Sequence, residues 1–479
     1  MTRKNRPYLF YDTTTSVCTR CLRVVEAKVV VQGDRVFMDK WCPAHGTERV
    51  LMSDDAAYYR LCREVYVKPP EMPRRFNTRM EFGCPYDCGL CPDHMQHSCL
   101  TLVEITDHCN LRCPVCFASS GPERTPHRSL ETVLAMLDAV VANEGQPDVV
   151  QISGGEPTLH PEFFAILDAA RARPIRHLMV NTNGIRIAQD RAFAERLAQY
   201  GPGFEVYLQF DSFQPSAMQS LRGADLARVH AQAIERLNEL DISTTLVVTL
   251  KKGVNDGEIG KIIDYGLAQP CVRGVTLQPI QDAGRAEDYD AKTHRLTLSE
   301  IRRAIAEQSR AFTLSDIIPV PCNPDTLAMG YALKVDGEAL PLTRYVDPQI
   351  LLQGERSTIT FEHDPVLKQR VFELFSTSQG PDGQASRLSE LLCCLPRVQA
   401  PDGLGYRNVF RVLIVQFMDA RSLDIRSLKK SCIHIAQPDG RLIPFESFNL
   451  FYRDGLARRL HVLREEVAAS ARNRMAPLL

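Results

Sequence analysis

Residues 101–116 read TLVEITDHCNLRCPVC, and residues 148–157 read DVVQISGGEP. Each opens as a short apolar run of the kind buried on both faces of a parallel sheet, and each ends in residues that cannot continue a strand. Four more such runs follow: HLMVNT (177–182), EVYLQFD (205–211), ISTTLVVT (242–249) and GVTLQPI (274–280). Helical patterns near 129–144, 161–172, 187–199, 225–239 and 255–267 separate them. Residues 101–290 are therefore expected to form an α/β unit, a (β/α)6 partial TIM barrel. In such barrels reactive groups gather at the C-terminal ends of the strands.

Both opening stretches place chemistry there. Cys109-x3-Cys113-x2-Cys116 follows the first strand, and Gly154-Gly155-Glu156-Pro157 ends the second. A [4Fe-4S] cluster is usually closed by four thiolates, so three leave one iron open to a small molecule. The glycines let backbone approach a ligand closely, and Glu156 can accept hydrogen bonds from an ammonium group. Asn181 and Asn183 end the third strand, and Gln209 and Asp211 end the fourth, so all four are candidates for binding a ligand above the barrel. For Asn183 and Asp211, turn chemistry or helix capping is the alternative.

The same cysteine spacing occurs upstream as Cys84-x3-Cys88-x2-Cys91, with Cys99 available as a fourth thiolate. Such a closed auxiliary [4Fe-4S] cluster would carry electrons rather than bind substrate, and His94 and His97 would be solvated or support it from outside. Residues 68–100 are read as a linker, beginning Lys68-Pro-Pro-Glu-Met-Pro-Arg-Arg75, that leads into this segment. Within 1–67, Cys18-x2-Cys21 and Cys42-x2-His45 flank a hairpin expected from Val29–Val31, Gly33-Asp34 and Val36–Met38. Three sulfurs and one imidazole suit structural zinc best, with mononuclear iron as the other option.

Residues 291–479 are expected to be an α+β domain, with helices near 297–311, 364–376 and 385–393 and a strand in VFRVLIVQF (409–417). Its cysteines, Cys322, Cys393, Cys394 and Cys432, either hold a further cluster, with Glu446 or His434 as a fourth ligand, or are buried thiols. Cys62 and Cys271 have no partner pattern and read as core residues. Sixteen cysteines fit metal binding better than disulfides, because MTRKNRPYLFYD has no apolar run long enough for a signal peptide. A cytoplasmic location is expected. With 57 basic against 58 acidic residues, no large nucleic-acid surface is indicated. The basic, partly amphipathic run Arg453–Arg464 is either a solvated helix or a peripheral contact with the inner face of a membrane.

The HCNLRCPVC loop after a strand, followed by GGEP at the end of the next, resembles the radical S-adenosylmethionine (radical SAM) superfamily. That resemblance implies that Cys109, Cys113 and Cys116 hold the catalytic [4Fe-4S] cluster. Its open iron would bind S-adenosyl-L-methionine, whose one-electron cleavage gives a 5′-deoxyadenosyl radical. The superfamily usually has an aromatic before the last cysteine; here Val115 stands there and Phe117 follows. The wider segment GCPYDCGLCPDHMQHSCLTLVEITDHCNLRCPVCFA, the CTRC…WCPAHG knuckles and SCIHIAQPDGRLIPFESFNLFYR closely resemble the tetraether lipid synthase group and its relative first described as a dihydropterin methyltransferase. This group implies a mononuclear metal, an auxiliary cluster and a C-terminal cluster. Its members often carry a cysteine directly after IPF, where this chain has Glu446.

The resemblance therefore implies hydrogen abstraction at an unactivated carbon. Carbon–carbon bond formation between lipid alkyl chains is the first expectation, and radical methyl transfer to a pterin-like small molecule the alternative. A flavodoxin or ferredoxin would supply the electron. An iron-sulfur electron carrier without turnover ranks lower, since it leaves GGEP unexplained; peptide maturation also ranks lower, since the C-terminal region lacks the seven cysteines usual in those enzymes.

Overall fold

The computed structural model describes residues 6–66, 69–335, 338–344, 408–453 and 455–475. Near the N-terminus, β1 (Leu9–Val17), β2 (Val24–Gln32), β3 (Arg35–Cys42) and β4 (Gly46–Ser53) form an antiparallel sheet in chain order. Gly33, at φ +61°, closes the turn between Gln32 and Arg35, the site read from the sequence. The expected hairpin is thus the centre of a larger sheet. β1 was not legible because its sequence, LFYDTTTSV, is polar over most of its length and packs only its last residues. Helix α1 (Ala56–Glu64) follows, its first turn capped by Asp55, which accepts from the Tyr58 N–H at 2.8 Å.

The six runs of the barrel form β5 (Leu100–Thr106), β6 (Val149–Gly154), β7 (His177–Thr182), β8 (Phe204–Gln209), β9 (Thr244–Leu250) and β10 (Val272–Pro279). Each pairs in parallel with the next. Between them run α2 (Leu130–Glu144), α3 (Phe163–Arg171), α4 (Arg191–Ala198), α5 (Ala227–Glu239) and α6 (Ile259–Ala268). Their apolar faces, such as Val133, Met136, Leu137 and Val140 of α2, pack on the sheet in one continuous core. Cys62 and Cys271 are buried in that core.

The chain beyond 290 does not form a separate α+β domain. After α7 (Leu298–Gln308), β11 (Leu327–Val335) pairs antiparallel with β12 (Val409–Val415), and β12 lies parallel to β10 with Arg411 opposite Gly274. At the other edge, β13 (Ile433–Ala436) runs parallel to β5, and β14 (Leu442–Pro444) closes on β13. The physical reason is the edge: a six-stranded parallel sheet leaves an unpaired backbone row on each side, and the C-terminal strands cover both. The helices expected near 364–376 and 385–393, with Cys393 and Cys394, lie outside the described residues.

Helix α8 (Ala457–Met475) uses its apolar residues internally. Leu460 and Leu463 are buried, Arg464 donates to the Tyr86 carbonyl at 2.6 Å, and Arg23 pairs with Glu466. Val462, 47% exposed, is the exception. Among the described residues, no helix is long and apolar enough to cross a membrane.

Candidate functional site

The cysteine loop leaves β5 at Thr106 and is tied back on itself by Asp107 N–H to the Pro126 carbonyl (3.1 Å) and Cys109 N–H to the Gly121 carbonyl (3.2 Å). Arg285, after β10, donates to the Cys113 and Ser120 carbonyls at 2.5 Å each, so the last core strand clamps the loop that follows the first. Cys109, Cys113 and Cys116 line one cavity at the C-terminal ends of the strands, together with Gly154, Gly155, Glu156, Asn181, Asn183 and Gln209. Burial pushes the Cys109 thiol up to about 12. It also raises Cys113, against the pull of the Arg222 guanidinium.

The two glycines are required by the cysteine loop itself: a Cβ on Gly154 would lie 2.2 Å from the Thr106 carbonyl oxygen, and one on Gly155 2.1 Å from that of His108. Gly155 and Glu156 N–H groups donate to those same carbonyls at 2.7 and 2.8 Å. The Glu156 carboxylate is buried and already accepts from Thr158 Oγ1 (2.6 Å), Thr158 N–H (3.2 Å), Thr182 Oγ1 (2.8 Å) and Asn183 N–H (2.8 Å). Three of these donors meet Oε1 and only the Asn183 N–H meets Oε2, so Glu156 braces the wall while, lining the cavity, it keeps an accepting site on Oε2. Asp211 and Pro157 stand behind the wall. Asp211, at φ +58°, accepts from Arg222 (2.9 Å) and from the Thr249 N–H (2.8 Å), while Pro157 starts a short turn whose N-cap is Glu156.

Arg222 was not legible as a site residue before the fold was known. Its guanidinium faces the cavity, donates to Gln209 Oε1 (2.7 Å) and Thr249 Oγ1 (3.1 Å), and interacts with the Cys113 thiol. A distant Asp211 paired with a basic residue eleven positions on is the only trace it could have left.

Below this cavity lies a second, inside the barrel, with about 1110 Å³ of empty space including its open part. The two share Phe117, Asn181, Gln209, Gln278, Phe417 and Phe445. Phe445 stacks on Phe417 at 3.8 Å between ring centroids and meets Phe117 edge-on at 4.9 Å. Gln151, Asn181, Tyr207, Gln209 and Gln278 form a polar wall, and Leu102, Val149, Met329, Leu413 and Val415 an apolar one. At the N-terminal strand ends, Arg411 and His177 line the floor, and both meet the buried Glu205 carboxylate, Arg411 at 2.8 Å and His177 Nε2 at 3.1 Å.

In the N-terminal sheet, Cys18, Cys21, Cys42 and His45 place their ligand atoms within 4.8 Å of one another. Cys21 and Cys42 sulfurs lie 3.8 Å apart, and His45 Nδ1 is 3.4 Å from Cys18 and 3.6 Å from Cys42. A tetrahedron of zinc–sulfur bonds has edges of about 3.8 Å, so these residues fit a tetrahedral ion. Cys84, Cys88 and Cys91 sit in a loop fixed from two sides. The Tyr86 hydroxyl donates to the Leu22 carbonyl (2.9 Å) and accepts from the Val24 N–H (3.0 Å) in the zinc knuckle, and Cys88 N–H donates to the Tyr452 hydroxyl (2.8 Å). The Cys84 thiol interacts directly with that of Cys88, a donor set that suits iron-sulfur ligation.

Cys99 does not complete that triplet. It groups with Cys322 and Cys432, all three buried and within 4.8 Å, because Leu100 opens β5 opposite Ile433 and so sets Cys99 beside Cys432. Glu446 is buried, accepts from Ser431 Oγ at 2.9 Å and lies within electrostatic reach of Cys88; burial raises it to about 7. His94 and His97 are held inside the protein: His94 Nε2 lies 3.1 Å from His434 Nε2, and His97 Nδ1 3.0 Å from Glu144. Cys394, the other expected ligand, is outside the described residues.

Comparison with known proteins agrees with this geometry. Residues 103–266 match the radical SAM superfamily, and residues 10–54 match the HMPTM N-terminal zinc ribbon domain. The 7,8-dihydro-6-hydroxymethylpterin dimethyltransferase of Methanocaldococcus jannaschii is 26% identical over 509 aligned positions, which span 95% of this chain and 96% of that protein. The GTP 3′,8-cyclase of Alkaliphilus oremlandii is 32% identical over 38% of this chain and 57% of its own length. Streptococcus suis SuiB bound to S-adenosylmethionine covers 40% of this chain and 44% of its own at 18% identity and a TM-score of 0.35. With a cysteine loop locked onto a glycine-bearing wall at the mouth of a partial barrel, residues 103–266 form a radical SAM superfamily domain.

Proposed function

We propose that this radical SAM enzyme acts on a compact polar heterocycle of the pterin class, transferring methyl groups to it. The observation that carries this reading is the lining of the inner cavity: Arg411 and His177 line its floor, each bonded to the buried Glu205 carboxylate, and Gln151, Asn181, Gln209 and Gln278 offer amides. Paired donors and acceptors at fixed positions suit the edge of a pterin ring, and the apolar side chains lining the same cavity suit its face. The end-to-end similarity to a pterin dimethyltransferase supports the same reading. In it, Cys109, Cys113 and Cys116 hold the catalytic cluster, and the cluster with S-adenosylmethionine supplies a hydrogen-abstracting radical when bound. Asn183, Gln209 and the backbone of Gly154 and Gly155 line the cofactor's cavity, while Phe117, Phe417 and Phe445 separate it from the substrate below.

Carbon–carbon coupling of lipid chains is the second reading, favoured by Leu102, Val149, Met329, Leu413 and Val415 along one side of the same cavity. A buried ion network across the floor opposes it, because an alkyl chain there would face charge. Anaerobically reconstituted enzyme, given S-adenosylmethionine and dithionite, should form 5′-deoxyadenosine and add methyl mass to 7,8-dihydro-6-hydroxymethylpterin. An unchanged pterin, with hydrogen lost from added membrane lipid, would replace the first reading by the second.

A further inference from the structure

Residues 69–82 cross the surface as a strap directly over the Cys84–Cys91 loop. Asn77 and Thr78 N–H groups donate to the Leu90 carbonyl at 2.9 and 3.3 Å, and Asn77 Nδ2 donates to the Gly440 carbonyl at 2.9 Å. Gly89 has no side chain because Thr78 Oγ1 lies 2.1 Å from where its Cβ would stand. At the far end, the Gly83 N–H donates to Asp87 at 3.0 Å. The strap is thus fixed to the loop carrying the second cysteine triplet.

Its outward side is unusual in composition. Met72, Phe76 and Met80 are 46%, 46% and 36% exposed, every fourth residue of the strap. Arg74, Arg75 and Arg79 are exposed between them, and among the described residues none has an ion-pair partner. Glu81 is the one exposed acidic side chain of the strap. In a chain whose formal net charge is −1, three unpaired arginines around exposed methionine and phenylalanine form a local basic, apolar patch. Arginine, aromatic and methionine side chains are the residues enriched at protein interfaces. Cys84, the least buried of the three thiols, lies two residues beyond the strap.

We propose that this strap is the docking surface for an acidic one-electron carrier protein of the flavodoxin class, delivering its electron at the Cys84, Cys88 and Cys91 site. The proposal rests on the radical SAM reading and adds the entry point. One electron leaves the reduced flavin, which is oxidised to the semiquinone, and enters the iron-sulfur group held by these cysteines; reductive cleavage of one S-adenosylmethionine consumes it. The arginines supply attraction over the Debye length and the apolar side chains the short-range contact.

The test uses the reconstituted full-length enzyme and photoreduced flavodoxin, following the bleaching of iron-sulfur absorbance by stopped flow and the binding of flavodoxin by titration. Replacing Arg74, Arg75 and Arg79 together by Glu should slow flavodoxin-driven bleaching and weaken binding, each by about tenfold or more, with the wild-type rate falling as salt rises. Dithionite, a small reductant, should bleach variant and wild type alike and support equal 5′-deoxyadenosine formation, which separates failure of docking from failure of the enzyme. Arg191→Glu, on α4 and remote in sequence from the strap, should leave the flavodoxin rate unchanged. Equal flavodoxin rates in the triple variant and wild type, or equal slowing by Arg191→Glu, would overturn the proposal.

Discussion

Arg222 holds Asp211 in a buried ion pair, with its Nη2 2.9 Å from Oδ1, while the same nitrogen reaches Gln209 at 2.7 Å. Asp211 is fully buried and Arg222 nearly so, and the pair stands between β8, β9 and the Cys113 thiol. Removing one partner leaves a buried charge uncompensated, at a cost of about 3–5 kcal/mol. Asp211→Asn should lower the unfolding free energy by that order in urea titrations. Arg222→Met, which leaves the more deeply buried Asp211 carboxylate without its cation, should be more destabilising than Asp211→Asn; the reverse order would show that Asp211 is not the dependent partner.

Gly155→Ala meets a backbone atom rather than a movable side chain, since its Cβ would stand 2.1 Å from the His108 carbonyl oxygen. The cysteine loop must then shift. Binding of S-adenosylmethionine and 5′-deoxyadenosine formation should fall by at least about a hundredfold, as misplacement by 1 Å can cost that much. Gly253→Ala, where a Cβ meets nothing within 4 Å but the backbone is left-handed, should cost about 1 kcal/mol of stability and spare both readouts.

Chelation of the N-terminal metal should reach beyond the N-terminal sheet. Tyr86 ties the Cys84–Cys91 loop to the Leu22 carbonyl and Val24 N–H, inside the knuckle that Cys18 and Cys21 form. Cys42→Ser is expected to lose zinc and to raise hydrogen exchange at residues 84–91 as well as in β2 and β3. Tyr86→Phe should raise exchange at 84–91 while retaining zinc. Protection unchanged at 84–91 in both variants would refute this coupling.

His230, 1% exposed and stacked on Phe210 at 5.5 Å, is pushed down to about 4 by burial from its ordinary 6.5. The unfolded chain therefore binds a proton that the folded chain refuses between these values. Stability falls as pH drops from 6.5 toward 4, by about 3 kcal/mol at 1.36 kcal/mol per unit. His230→Phe should flatten this part of the stability profile in urea titrations repeated across that range; an unaltered slope would exclude His230 as its source.

Much of this architecture was legible because buried parallel strands need continuous apolar runs, and all six core strands begin and end within a few residues of where those runs do. The hairpin turn at Gly33 and the four-ligand knuckle were legible for a similar reason: the side chains that make them are neighbours in sequence. Cys99 was misplaced because it is close to Cys91 along the chain, while its true neighbours, Cys322 and Cys432, arrive through strand pairing at Leu100 and Ile433. Glu156 and Asp211 are polar residues at strand ends, as ligand-binding groups would be, but Asp211 is taken up by Arg222 and the Thr249 N–H, whereas Glu156 gathers Thr158 and Thr182 on Oε1 and keeps room on Oε2. Sequence position shows that a carboxylate is near a site; only the partners show whether it is available.

Placing both borders of the barrel sheet after residue 408 has a consequence for how the protein is made. The six central strands leave the ribosome before β12 and β13, with the backbone of β5 and β10 unpaired on their outer sides. Those rows are templates for pairing with other chains until β12 and β13 emerge. The sulfur group of Cys99, Cys322 and Cys432 is also incomplete until Cys432 has been made, so a metal at that position would be inserted only after that point. Truncation near the C-terminus should accordingly yield aggregation instead of a smaller working enzyme.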